Sequence, residues 1–165
     1  MEKINDNINI QSLLSDVIGN NVIFTLWTGL NELNNNRLTG LNALKTKSEC
    51  IVINVNPTNM NQFIKAGFSI HESYESLSLI HKADYMRCYL MHHYGGGYSD
   101  IKATTGSWVN AFNKLKQNEN TWIVGFDVDG IAYPDENTQE ENNLLGINFN
   151  NLIGVGFLFV NHTRY

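Results

Sequence analysis

The sequence predicts an α/β sandwich around a mixed, mainly parallel sheet flanked by helices. Short β-rich apolar runs alternate with stretches of helical periodicity, and turn signals close most of the runs. The length of 165 residues fits one domain, and a 42% hydrophobic content supplies a core without staples.

The elements follow in order. Residues 11–18 read as a short amphipathic helix within an N-terminal segment, 1–20, that precedes one domain over 21–165. The run NVIFTLW at 21–27, closed by Thr28-Gly29, reads as a buried strand. Leu33, Leu38, Leu41 and Leu44 recur at helical spacing over 30–47, and CIVINV at 50–55 is a second strand stopped by Asn56-Pro57. A helix is expected over 58–66, with Thr58 as N-cap and Gly67 as its stop. The longest helical pattern, 78–94, places Leu79, Ala83, Met86, Leu90 and Tyr94 three or four apart and runs into Gly95-Gly96-Gly97. A short strand at 98–101, a helix at 107–115, the strand WIVGF at 122–126, an acidic loop at 127–143 and the strand LIGVGFLFV at 152–160 complete the reading. Trp108, Phe112 and Trp122 read as core aromatics. No helix follows the last strand to cover it, so the chain reads as a domain truncated at its C-terminus or cut from a longer polypeptide.

Composition excludes several roles. The net charge is −5 and the basic residues are scattered, whereas a nucleic-acid binder needs a clustered basic face. Asparagine occurs 25 times, which fits an AT-rich coding sequence and carries no functional weight. The start holds acids and asparagines where a signal peptide needs a basic end and an apolar run. No apolar stretch is long enough for a transmembrane segment. Cys50 and Cys88 lie in apolar surroundings and read as buried free thiols, which points to a reducing compartment and a cytoplasmic location.

The chemistry concentrates in the stretch HKADYMRCYLMHHYGGGYSDIK at 81–102. Asp84 and Arg87 stand three apart and project from one helix face. The glycines run helix, glycines, strand, which is the wrong order for a phosphate cradle. They permit a sharp turn and a close backbone approach instead. The strand behind them delivers Tyr98, Ser99 and Asp100 to its C-terminal end, where ligands of open α/β sheets bind. Asp100 is there a candidate metal ligand or ribose acceptor.

Ala83-Asp84, Arg87, Leu90, Tyr94-Gly95-Gly96, Tyr98 and Asp100 together resemble the signature of the DXD-containing sugar transferases. That group, glycosyltransferase family 32-like, joins fungal initiating mannosyltransferases, capsular-polysaccharide transferases and the catalytic domains of glucosylating toxins. The strand ending in Leu26-Trp27-Thr28-Gly29 resembles the group's opening strand, and Asn36-Arg37 and the later strands fall in the expected order. The resemblance implies a GT-A type, Rossmann-like fold and transfer of a hexose, with retention, from a nucleotide-sugar donor to a glycan or polysaccharide acceptor. It also implies Mn²⁺ or Mg²⁺ on the donor diphosphate. Asp84 and Arg87 correspond to the residues that hold the donor sugar, and Asp100 to the first DXD carboxylate. Trp27 and Thr28 correspond to the edge that receives the base, with Tyr98 and Ser99 beside the donor.

One position departs from the pattern. The second carboxylate belongs at 102, where this chain has Lys102. An ammonium repels a dication, so three consequences stand open: weak metal binding, Lys102 replacing the ion as partner of the diphosphate, or a site that binds donor without turnover. Lys102 therefore joins Asp84, Arg87 and Asp100 among the catalytic candidates. Asp127-Val128-Asp129 is a literal D-x-D, but it follows the donor motif, and Asp127 and Asp129 are secondary acceptor-side or metal candidates. His92 and His93 are adjacent and point about 100° apart, the wrong geometry for a shared metal.

Overall fold

In the computed structural model, residues 10–118, 120–127, 138–147 and 153–161 are described. The strands are β1 (Val22–Leu26), β2 (Ile51–Val55), β3 (Gly96–Ser99), β4 (Ile123–Asp127) and β5 (Ile153–Val160). The helices are α1 (Ile10–Ser15), α2 (Asn35–Lys47), α3 (Leu79–His93), α4 (Val109–Gln117) and α5 (Gln139–Ile147). The sheet order is β2-β1-β3-β5-β4. β1 pairs in parallel with β2 and β3, whereas β5 runs antiparallel between β3 and β4. The result is the expected mixed α/β sandwich.

β1 is buried along its whole length, as its continuous apolar run requires of a strand covered on both faces. Val22, Phe24 and Leu26 join a core with Phe63, Met86, Leu90 and Tyr94, which is where α3 packs. Ile23 points the other way and joins Leu44, Trp108, Phe112, Leu115 and Phe159, beneath α2 and α4. The period-2 alternation of one strand thus feeds two cores. Leu14 and Val17, from the N-terminal segment, close the first of them.

The turn falls at Gly95 and Gly96, and the strand expected over 98–101 opens earlier, on Gly96, and ends at Ser99. Gly96 has φ +81°, and a Cβ there would collide with Val17 and stand 2.9 Å from the Val22 carbonyl oxygen. Only glycine lets α3 end and β3 begin against β1 at that distance.

Several expectations are corrected. Residues 58–66 form no α-helix, only a 3₁₀ turn at Met60–Phe63. Asparagine side chains satisfy the backbone locally: Asn59 accepts from the Asn56 N–H at 2.8 Å and donates to the Asn54 carbonyl at 3.0 Å, and Asn56 accepts from Thr58. Of the acidic loop expected over 127–143, Asp127 belongs to β4 and Gln139 onward to α5, and residues 128–137 lie outside the described residues. α2 starts only at Asn35, because the Asn34 side chain caps the Arg37 N–H. Trp122 is 48% exposed rather than core, since it stands at the mouth of an edge strand. Cys88 is exposed on the outer face of α3, while Cys50 is half-buried. No helix among the described residues is long and apolar enough to cross a membrane.

Candidate functional site

Parallel strands end on the same side, so β1 delivers Trp27 and Thr28 to the sheet edge that receives Asp100 from β3. Ligands of α/β sheets bind at that edge. A cleft of about 420 Å³ opens there, within the range of small-molecule sites.

α3 forms one wall. Ser78 caps its first turn by accepting from the His81 N–H, and the glycine turn ends it. Between these limits Ile80, Ala83, Asp84 and Arg87 share the face that lines the cleft, while Met86 and Leu90, on the adjoining stripe, anchor the helix in the core. Thr28 ties β1 to this wall, its hydroxyl donating to the Leu79 carbonyl at 2.7 Å. The Trp27 indole N–H donates to Asn31 at 2.7 Å, which fixes the ring at the mouth of the cleft.

The floor is a run of charged contacts. Arg87 pairs with Asp84 at 2.8 Å. Its guanidinium lies over the Tyr98 ring, 5.3 Å from the centroid. The Tyr98 hydroxyl donates to Asp100 Oδ1 at 3.0 Å, and the Lys102 ammonium pairs with Asp100 Oδ2 at 3.1 Å. Burial, reinforced by the Asp100 charge and hydrogen bond, pushes the Tyr98 phenol well above the ordinary tyrosine range, and Arg87 offsets part of that rise.

Of the expected site residues, Trp27, Thr28, Asp84, Arg87, Tyr98, Asp100 and Lys102 all line this one cleft. Ser99 does not. It is fully buried, and its hydroxyl donates to the Asp100 carbonyl at 2.7 Å, so the strand alternation turns it away from the ligand side. Asp127 closes β4; its side chain, like the whole of Asp129, lies outside the described residues. In the sequence Arg37 stands out only as half of the Asn36-Arg37 pair. It lines the cleft from α2 and donates to the Ile101 carbonyl at 2.7 Å, across 64 positions of sequence.

The described carboxylates do not fit a dication. Both oxygens of Asp100 are engaged, one by a hydroxyl and one by an ammonium, and Asp84 is paired with Arg87. Among the described residues, no three His, Cys, Asp or Glu side chains gather into a possible metal cage. What the arrangement offers a ligand is fixed positive and negative charge in alternation, suited to a polyhydroxylated group joined to an anion.

Comparison with known proteins bears on what that ligand is. No curated protein and no solved structure matches the chain. Residues 5–122 match the family model described as the glycosyltransferase sugar-binding region containing the DXD motif. The match takes in most of the chain and every residue that lines the cleft. By that match, and by the charged floor it encloses, the chain belongs to the family of DXD-containing glycosyltransferase sugar-binding regions.

Proposed function

We propose that the cleft binds a nucleotide sugar and that the chain transfers its hexose, with retention, to a glycan or polysaccharide acceptor. The observation that supports this reading is the run Asp84, Arg87, Tyr98, Asp100, Lys102 along a single floor. In transfer, the bond from the anomeric carbon to the diphosphate oxygen breaks and its electron pair stays with the diphosphate. Positive charge develops on the sugar. The acceptor hydroxyl bonds to the same face, which gives retention, and its proton passes to the departing phosphate oxygen.

Asp84 beside the ring offsets the developing positive charge, and Arg87 holds sugar hydroxyls or the departing phosphate in fork geometry. Trp27 and Thr28 provide the edge for the base. Asp100, oriented by Tyr98, accepts from the donor ribose. No step is assigned to Mn²⁺ or Mg²⁺, because the described carboxylates do not fit one.

A second reading is favoured by Lys102 itself: a donor-binding module without turnover, its second DXD carboxylate lost. Incubating the chain with UDP-, GDP-, TDP- and CMP-sugars and no acceptor separates the two. Slow release of a sugar of retained configuration, followed by NMR, supports the transferase. Donor that binds but stays intact supports the module, and a product of inverted configuration overturns retention.

A further inference from the structure

The cleft carries more positive than negative charge although the chain as a whole is acidic. Arg37, Arg87 and Lys102 line it, against Asp84 and Asp100, in a protein of net charge −5. Two of the cations are matched: Arg87 by Asp84 and Lys102 by Asp100. Arg37 is not. Its guanidinium is held by a neutral partner, the Ile101 carbonyl, and among the described residues it forms no ion pair. That bond uses one of five N–H donors in a fork that matches phosphate oxygens.

Arg37 and Lys102 also act from one place. The Ile101 carbonyl that receives Arg37 belongs to the residue before Lys102. Three positions after Arg37 on α2, a Cβ on Gly40 would stand 3.0 Å from the Lys102 carbonyl carbon and 3.2 Å from its Cα. The absence of a side chain at Gly40 lets α2 press directly on the backbone that carries Lys102, so both cations are presented from one junction. The Lys102 ammonium has three N–H donors, so it can hold Asp100 and a phosphate oxygen together.

We propose that Arg37 and Lys102 form a built-in cation pair that holds the donor diphosphate in place of a divalent ion, with Asp100 as the residue that positions Lys102. This rests on the nucleotide-sugar reading of the same cleft. As the anomeric bond breaks, its electron pair moves onto the diphosphate oxygen, and the pair stabilises the charge that arrives there. Donor binding consequently needs no metal, and the charge at 102 reverses the metal response.

The test is calorimetric titration of the chain with UDP, GDP, TDP and CDP, each in EDTA and in Mn²⁺, with the monophosphates as controls. The expected result is one diphosphate that binds equally in both conditions, within about threefold. Arg37→Ala and Lys102→Ala each weaken it about tenfold or more, as loss of a hydrogen bond to a charged group implies. The corresponding monophosphate, lacking the β-phosphate, changes far less. Lys102→Asp should bind at least tenfold tighter in Mn²⁺ than in EDTA. Wild-type binding that needs Mn²⁺, or unchanged affinity in both alanine variants, overturns the cation pair while leaving the donor site intact. No binding by any diphosphate in either condition overturns the nucleotide-sugar reading itself.

Discussion

Tyr98→Phe deletes one oxygen from the middle of the charged floor. The residue is 3% exposed, and its hydroxyl donates to Asp100 Oδ1 at 3.0 Å. A buried hydrogen bond to a charged group contributes about 1.5–3 kcal/mol. The Asp100 side chain is 33% exposed, so water replaces part of the lost bond, and the expected cost is about 1–2 kcal/mol. At roughly 2–4 °C per kcal/mol for a chain of this size, the melting temperature should fall by about 2–8 °C. A second readout uses pH. The folded phenol titrates well above the ordinary range, whereas in the unfolded chain it ionises near pH 10 (about the free value). The hydroxyl's contribution is therefore complete below about pH 10 and is lost as pH climbs toward the folded value. Urea denaturation of both proteins should show a stability gap at pH 8 that narrows by pH 11. Equal stability at pH 8, or a gap that ignores pH, would refute the wiring of Tyr98 to Asp100.

Three further outcomes follow from the same contacts. Asp84→Asn removes an ion pair whose acidic side chain is 47% exposed; pairs of that kind contribute about 0–1 kcal/mol, so the melting temperature should barely move. Donor cleavage, measured under saturating donor, should nevertheless fall by about 100-fold or more, since a charge beside the developing cation is lost. Gly96→Ala forces a side chain into a left-handed backbone and against Val17 and the Val22 carbonyl. About 1–2 kcal/mol of conformational strain and about 1–3 of overpacking should add up to a visibly destabilised or insoluble chain in a urea titration. Thiol labelling at pH 8 followed by mass mapping should modify the exposed Cys88 and spare Cys50, whose pKa burial pushes up to about 11. Equal labelling of both would contradict the packing of Cys50 beside Ser48.

Much of the architecture is written locally. β1, β2 and α3 follow from apolar runs and from a three-and-four spacing that tertiary packing reinforces, and the glycine turn follows from its order in the chain. What was not legible depends on side chains bonding to backbone. The 58–66 stretch has helical spacing, but Asn56 and Asn59 hold their own backbone in a turn. α5 carried an overlooked signal, the Thr138-x-x-Glu141 capping box, in which the Thr138 N–H donates to Glu141 at 2.7 Å and the Glu141 N–H donates to the Thr138 hydroxyl at 3.3 Å. In the site, residues 84–102 were legible because one helix, one turn and one strand carry them. Ser99 stands between two cleft residues in sequence, but strand alternation gives only one face of β3 to the ligand and buries its side chain. Arg37 was passed over as a site residue because nothing in sequence links position 37 to the carbonyl of position 101, and only the close approach allowed by Gly40 does so.

The central claim is that this cleft takes a nucleotide sugar. A thermal-shift screen of the chain against UDP-, GDP-, TDP- and CMP-sugars, repeated on Arg87→Ala, tests it most directly. A ligand at 100 times its dissociation constant adds about 2.7 kcal/mol, worth roughly 5–10 °C here. The expected result is a shift of that size with one donor class, cut to about half or less in Arg87→Ala, as a tenfold or greater weakening implies. A flat response across the panel, or a shift undiminished by the loss of Arg87, would contradict the claim.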